Sequence, residues 1–352
     1  MPQLPRDKYL PVEKLAACFN NTSATYKFYW LLSIVDALEA RIESEVTTIP
    51  KTELFARMIS NAWYIVNYFR VSFGKQDKLQ QAISEIRKFE NITIDADKQD
   101  IIKTLVHSAN PETIALLRRF NNQVPHWFLS PWFPGADRRA IYAGSQLGIS
   151  NSLYALDEHH IRIGLLWANY LLVNARLLKD FCHWNLALFL QRNNPNVPDI
   201  AGKIFKPPVR SNLLKQRRFW DLVMDERKAI PCVYTGRPLE GTDFAVEHFV
   251  PYNFIPHNLI WNLIPADKVF NSRKSDRLPD MRKHFDPFFN LQLDAIRIVR
   301  KQDPSNKLLE DYLTLFSSLE EAEGPDAKDR FRDTIQPLIT IAANNGFQYL
   351  EL

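Results

Sequence analysis

Residues 246–279, VEHFVPYNFIPHNLIWNLIPADKVFNSRKSDRLP, carry the residue types that metal-dependent phosphodiester chemistry uses. Glu247 and His248 are adjacent, Asn262 and Asn271 follow downstream, and Lys274 comes one helical turn after Asn271. An imidazole titrates near neutrality, so His248 can hold a water by one ring nitrogen and take its proton. Glu247 offers a carboxylate oxygen and Asn271 an amide oxygen. Together they suit one Mg²⁺, or Mn²⁺ in its place, that keeps several waters and borrows phosphate oxygens from its substrate. Lys274, with Arg273 beside it, can neutralise a neighbouring phosphate. His257 lies between these groups and reads as an exposed loop residue.

Strand, loop, strand and helix are needed to bring these side chains together. Phe244-Ala245-Val246 is a short apolar run between Gly241 and Pro251, and it predicts a strand that presents His248 at its end. Leu259-Ile260-Trp261-Asn262-Leu263-Ile264 has the β-branched and aromatic content of a second strand, closed by Pro265. Asp267 is placed to cap a helix over DKVFNSRKSD, with Asn271 and Lys274 on nearly the same face. Upstream, PCVYTGRPL reads as a hairpin that turns at Thr235-Gly236-Arg237-Pro238.

Glu247-His248 with Pro251, Trp261-Asn262-Leu263, Asn271 with Lys274-Ser275, and Leu278-Pro279 resemble, in that order, the HNH or His-Me finger (ββα-metal) nuclease family, over about residues 230–284. The resemblance implies an endonuclease that hydrolyses DNA and leaves 5′-phosphate and 3′-hydroxyl ends. His248 would be its general base, Glu247 and Asn271 its metal ligands, and Asn262 would sit behind His248 and fix the ring. The family usually has Asp where Glu247 stands, and the extra methylene moves the carboxylate outward. The family often carries two Cys pairs around a structural zinc. Here Cys232 has no partner at C-x-x-C spacing, so no structural zinc is expected. One such site cuts one strand at a time, so a double-strand break would call for a homodimer or a second event, and an activating partner protein is a further expectation. Free-standing proteins resembling this build suggest bacterial restriction or phage defence.

The rest of the chain supplies the frame. With 352 residues, 46% hydrophobic and 12% aromatic content, it can bury a large core, and only 10 glycines favour long helices. The expected fold is mainly α, a large helical body with a small ββα-metal module in the C-terminal half. Apolar residues at three- and four-residue steps predict a helix from Ser23 to Ile42 and another from Pro50 to Gly74, with shorter ones around 76–90, 97–108 and 111–121. Two apolar helices are predicted over 151–190, the first opened by Asp157-Glu158-His159-His160. PHWFLSPWFP, residues 125–134, reads as packing rather than as a platform for bases. The predicted domains are 1–202, a recognition or regulatory body; 203–285, a basic linker helix and the nuclease module; and 286–352, helices packing back on the body.

Lys203, Lys206, Arg210, Lys215, Arg217 and Arg218 come with no acid among them, a pattern suited to nucleic-acid phosphates. A net charge of +4 and a pI near 8.8 permit such a partner. The three cysteines form no disulfide framework and, with no signal pattern at MPQLPRDKYL, point to a reducing cytoplasm. The longest apolar stretch, residues 163–178, is broken by Asn169, Asn174 and Arg176 and predicts no membrane span. Two other readings stay open: a ribonuclease, and a non-catalytic nucleic-acid-binding module. The ribonuclease would work at the same site or at Arg176 and His183, whose spacing resembles the helical HEPN ribonuclease motif but with Leu177 where that family has a polar residue.

Overall fold

The computed structural model describes residues 4–20, 22–41, 47–148, 151–205 and 212–351. The chain is mainly α, with fifteen α-helices and three small sheets among the described residues. It divides into two compact units, Met1–Pro195 with Ile200–Lys206, and Asn196–Asp199 with Pro207–Leu352.

The first unit is built on the helices Tyr26–Glu39 and Lys51–Asn67, which pack against each other. Tyr26–Glu39 is apolar on nearly every face and is accordingly a core helix, with Phe28, Trp30, Leu31, Ile34 and Val35 all buried. Its polar groups are satisfied internally. The Ser33 hydroxyl donates to the Tyr29 carbonyl (2.7 Å), and Trp30 Nε1 donates to the Tyr154 hydroxyl (2.9 Å). The surrounding helices start where acids or amides cap them. Asp77 caps Lys78–Phe89, Asp97 caps Lys98–Val106, and Asn110 caps Pro111–Arg119, which has proline in its first turn.

Two local predictions change here. Lys51–Asn67 stops seven residues short of Gly74, because Arg70 turns left-handed (φ 54°) and Asn194 then holds Ser72 by both backbone groups. Asp157-Glu158-His159-His160 does not open a helix. It is the turn between strands Ala155–Leu156 and His160–Arg162, with Asp157 Oδ1 accepting from the backbone of His159 (2.8 Å) and His160 (2.6 Å). Leu156 and Ile161 alternate inward there, which is a strand period, and Thr48–Pro50 completes an antiparallel three-stranded sheet. Within PHWFLSPWFP, Phe128, Leu129 and Trp132 are buried and Trp127 points outward.

His126, from the same stretch, is 2% exposed and its Nδ1 has no partner among the described residues. Burial, with Arg138 and Lys51 nearby, pushes its pKa from 6.5 down to about 4. Below pH 6.5 the unfolded chain therefore binds a proton that the folded chain refuses, and stability falls as pH drops toward 4. His126→Phe is expected to remove on the order of 2 kcal/mol of that loss. Urea denaturation of both proteins at pH 7 and pH 4.5 reads it, and equal acid sensitivity would refute it.

The second unit begins with the helix Leu214–Arg227 and the hairpin Ala229–Pro231/Pro238–Glu240, which turns through Gly236 at φ 70°. A second hairpin pairs Ala245–His248 with Leu263–Ala266, in register Ala245↔Ala266 through His248↔Leu263. The helix Lys268–Lys274 follows, capped by Asp267, whose Oδ1 accepts from Phe270 N (2.8 Å). Helices Met281–Gln302 and Ala327–Asn344, with the short turn of helix Lys307–Thr314 between them, complete the unit. Residues 286–352, expected to pack on the N-terminal body, fall in the second compact unit together with residues 207–285. Their aromatic rings explain it: Phe288 stacks on Phe249 (3.8 Å between centroids), the residue after His248, and also meets Phe331 of the last helix.

Candidate active site

His248 ends the first strand of the ββα unit and is 8% exposed. Its ring is set by the loop that joins the two strands: Nε2 lies 3.0 Å from Asn258 Oδ1, and the Tyr252 ring meets it edge-on at 5.3 Å. An amide oxygen only accepts, so this contact puts the proton on Nε2 and makes Nδ1 the basic nitrogen. The loop is held in turn by the helix Leu214–Arg227, whose Gln216 Nε2 donates to the Asn258 carbonyl (3.1 Å).

Asn262 takes a different place from the one the resemblance implies. It lies in a single 3₁₀ turn, Ile260–Asn262, before the second strand, and is fully buried. Its Oδ1 accepts from Val250 N (2.8 Å) and its Nδ2 donates to the Val250 carbonyl (2.9 Å). It therefore clamps the backbone two residues beyond His248, and the ring is oriented by Asn258. The strand itself begins four residues later than the apolar run suggested, spanning Leu263–Ala266, with Pro265 inside it opposite Val246. Nothing in the sequence singled out Asn258, since asparagine is common in loops for conformational reasons.

Lys274 is likewise not presented to a phosphate. It is fully buried, and its Nζ donates to Glu247 Oε1 (2.7 Å) and to the His248 carbonyl (2.8 Å). Its ammonium also lies 5.7 Å from the centre of the Tyr234 ring. Burial lowers the Lys274 pKa from the ordinary lysine value, and the carboxylate of Glu247 opposes that shift. Lys274 thus ties the helix to the end of the strand that carries the Glu-His pair.

Glu247 keeps its second oxygen beyond this ion pair, and its side chain is 14% exposed. Asn271 stands one turn before Lys274 on the same helix, and its amide makes no side-chain hydrogen bond among the described residues. Two hard oxygens from protein, with water and phosphate supplying the rest, fit a single divalent cation of the Mg²⁺ or Mn²⁺ kind. Among the described residues no three His, Cys, Asp or Glu side chains gather into a cage. Cys232 is a buried free thiol, and His257 packs its ring on Trp261 at 5.2 Å.

The basic residues divide by what already occupies them. Arg217 is committed to structure: it pairs with Asp221 (3.0 Å), donates to the carbonyls of Phe244 (2.6 Å) and Thr242 (2.7 Å), and stacks 3.5 Å over the Phe244 ring. Lys215, Arg218 and Arg273 are exposed, and none of them forms an ion pair among the described residues. Arg210 lies outside the described residues. Arg176 and His183 stand two turns apart on the helix Ala175–Asn193 in the first unit, roughly 10 Å along its axis. Arg176 is exposed, while His183 packs against Phe205 and is held below its usual pKa by burial.

A histidine at the end of a two-stranded hairpin, followed by a short helix whose lysine returns to its carbonyl, is a ββα arrangement. Residues 232–280 match the family described as HNH endonuclease, and the match is confined to that segment. No curated protein and no solved structure matches the chain. Among the described residues no helix is long and apolar enough to cross a membrane.

Asn258→Asp would place a carboxylate on Nε2 and favour the imidazolium. The acid limb of the pH–rate profile is then expected to move up by about one unit or more, with cleavage at pH 7 falling and recovering at higher pH. An unmoved limb would show that Asn258 does not set the His248 ring.

Proposed function

We propose that the second unit hydrolyses DNA phosphodiester bonds with one divalent metal ion. What supports this reading is the anchoring of His248 through Nε2 by Asn258, next to the Glu247–Lys274 ion pair, within the segment that matches the HNH family. His248 Nδ1 takes a proton from water, whose oxygen attacks phosphorus in line. The bond from phosphorus to the 3′ oxygen breaks, that oxygen takes a proton from solvent water to become the 3′-hydroxyl, the 5′-phosphate keeps the attacking oxygen, and the ring returns its proton to solvent. A bound Mg²⁺ or Mn²⁺, held by Glu247 and Asn271, would supply positive charge for the leaving oxygen and the phosphate. Water is the nucleophile, so no 2′-hydroxyl is required and DNA is a competent substrate. Arg218, Lys215 and Arg273 would hold flanking phosphates, which makes binding fall with salt. One site cuts one strand, so linear product would need a second copy or a second event. A restriction or phage-defence role rests on the family resemblance.

Incubation with supercoiled plasmid, linear duplex, single-stranded DNA and RNA, in Mg²⁺, Mn²⁺ or EDTA, tests the proposal. Metal-dependent cutting of duplex DNA is expected. Cutting confined to RNA, or binding without cutting in any metal, would overturn it.

A further inference from the structure

The family match ends at residue 280, yet two side chains beyond it, Gln292 and Asp311, hold the hairpin that carries the site, and a third, Tyr312, holds Gln292. We infer that Gln292, Tyr312 and Asp311 are positioning residues for His248, and that the working nuclease includes the C-terminal helices. This rests on the cleavage reading given above.

Gln292, on the helix Met281–Gln302, is fully buried. Its Nε2 donates to the Leu263 carbonyl at 2.9 Å and to the Ile260 carbonyl at 3.4 Å, and its Oε1 accepts from the buried Tyr312 hydroxyl at 2.5 Å. Asp311 Oδ2 accepts from Ile260 N at 2.8 Å. These contacts bracket Asn262 on both sides. Leu263 is the cross-strand partner of His248, and Asn262 holds Val250 at both its N–H and its carbonyl. The Asn262 carbonyl also accepts from Phe249 N at 2.7 Å. Two sets of hydrogen bonds, joined by the backbone of the one turn Ile260–Leu263, thus connect the C-terminal segment to the two residues after His248.

The chemistry argues for positioning over packing alone. A leucine would fill the place of Gln292 and need no partners, whereas the amide is kept and satisfied at both its oxygen and its nitrogen. What it fixes is backbone: the Ile260 carbonyl and N–H and the Leu263 carbonyl are taken by side chains from outside the finger. A histidine that must hold a water to within a fraction of an ångström depends on such support.

Full-length Gln292→Leu, Asp311→Ala and Asp311→Asn are compared with wild type in single-turnover cleavage of duplex DNA with Mg²⁺, well below the melting temperature. Gln292→Leu and Asp311→Ala are expected to lower the maximal rate at least tenfold, with half-saturating DNA concentration within twofold. Asp311→Asn keeps an oxygen for the Ile260 N–H and is expected to recover most of the rate. Wild-type rates in both Gln292→Leu and Asp311→Ala would overturn the inference. Amide hydrogen exchange of Phe249 and Val250 reads it independently of any cutting. If the wild-type protein cuts no nucleic acid, the cleavage reading fails, and exchange still decides the support: faster exchange in both variants upholds it, unchanged exchange sinks it. Should Gln292→Leu not fold, the two Asp311 variants carry the test.

Discussion

Lys274→Met is expected to lower the unfolding free energy by about 3–5 kcal/mol, the usual cost of stripping one partner from a buried ion pair. Lys274 is fully enclosed and the Glu247 side chain is 14% exposed, so the methionine leaves a largely enclosed carboxylate without its counter-charge. It also removes the donor to the His248 carbonyl at 2.8 Å, which is buried beside it. The double variant Glu247→Gln with Lys274→Met removes both charges and is expected to recover much of the loss. Chemical denaturation of the three proteins measures this, and a change below about 1 kcal/mol in Lys274→Met would mean the pair is solvated in solution. The same pair bears on the metal. Lys274 already engages one of the two oxygens with which Glu247 would hold the proposed cation, so that cation is expected to bind weakly until phosphate oxygens join it.

His248→Ala is expected to lower the maximal cleavage rate by about 10²- to 10⁴-fold, the range a positioned general base contributes. DNA affinity should stay within a few-fold, because the ring is 8% exposed and offers little surface for a phosphate contact. The distinction from a damaged fold is direct: the Asn262 clamp on Val250 uses no atom of the His248 side chain and should survive the substitution. A loss smaller than tenfold in single turnover would remove His248 from the chemistry and leave its neighbourhood as architecture.

How much could be read beforehand follows from the range of each interaction. The strand ending at His248, the Asp267 cap and the hairpin turn at Gly236 are local events, written in periodicity and turn chemistry, and they stand in the fold where the sequence puts them. The second strand begins later than its apolar run because Ile260-Trp261-Asn262 is spent on a turn that buries Asn262, and composition does not separate a buried turn from a strand. Lys274 reads as a surface cation because lysines mostly are, and only the fold places it against Glu247. Asp157-Glu158-His159-His160 suits a helix start as well as a hairpin turn, and the pairing of Ile161 with Ile49, far upstream, decides between them. Gln292 and Asp311 act across 29 and 51 residues, on Leu263 and Ile260, and no spacing rule reaches that far.

The most direct test is conversion of supercoiled plasmid to nicked circles by wild-type protein and His248→Ala, side by side, in Mg²⁺ and in EDTA. The account expects nicking by wild type in Mg²⁺ alone, with the nicked form preceding any linear product, and almost none from the variant. Equal nicking by the two proteins, or nicking that persists in EDTA, would contradict it.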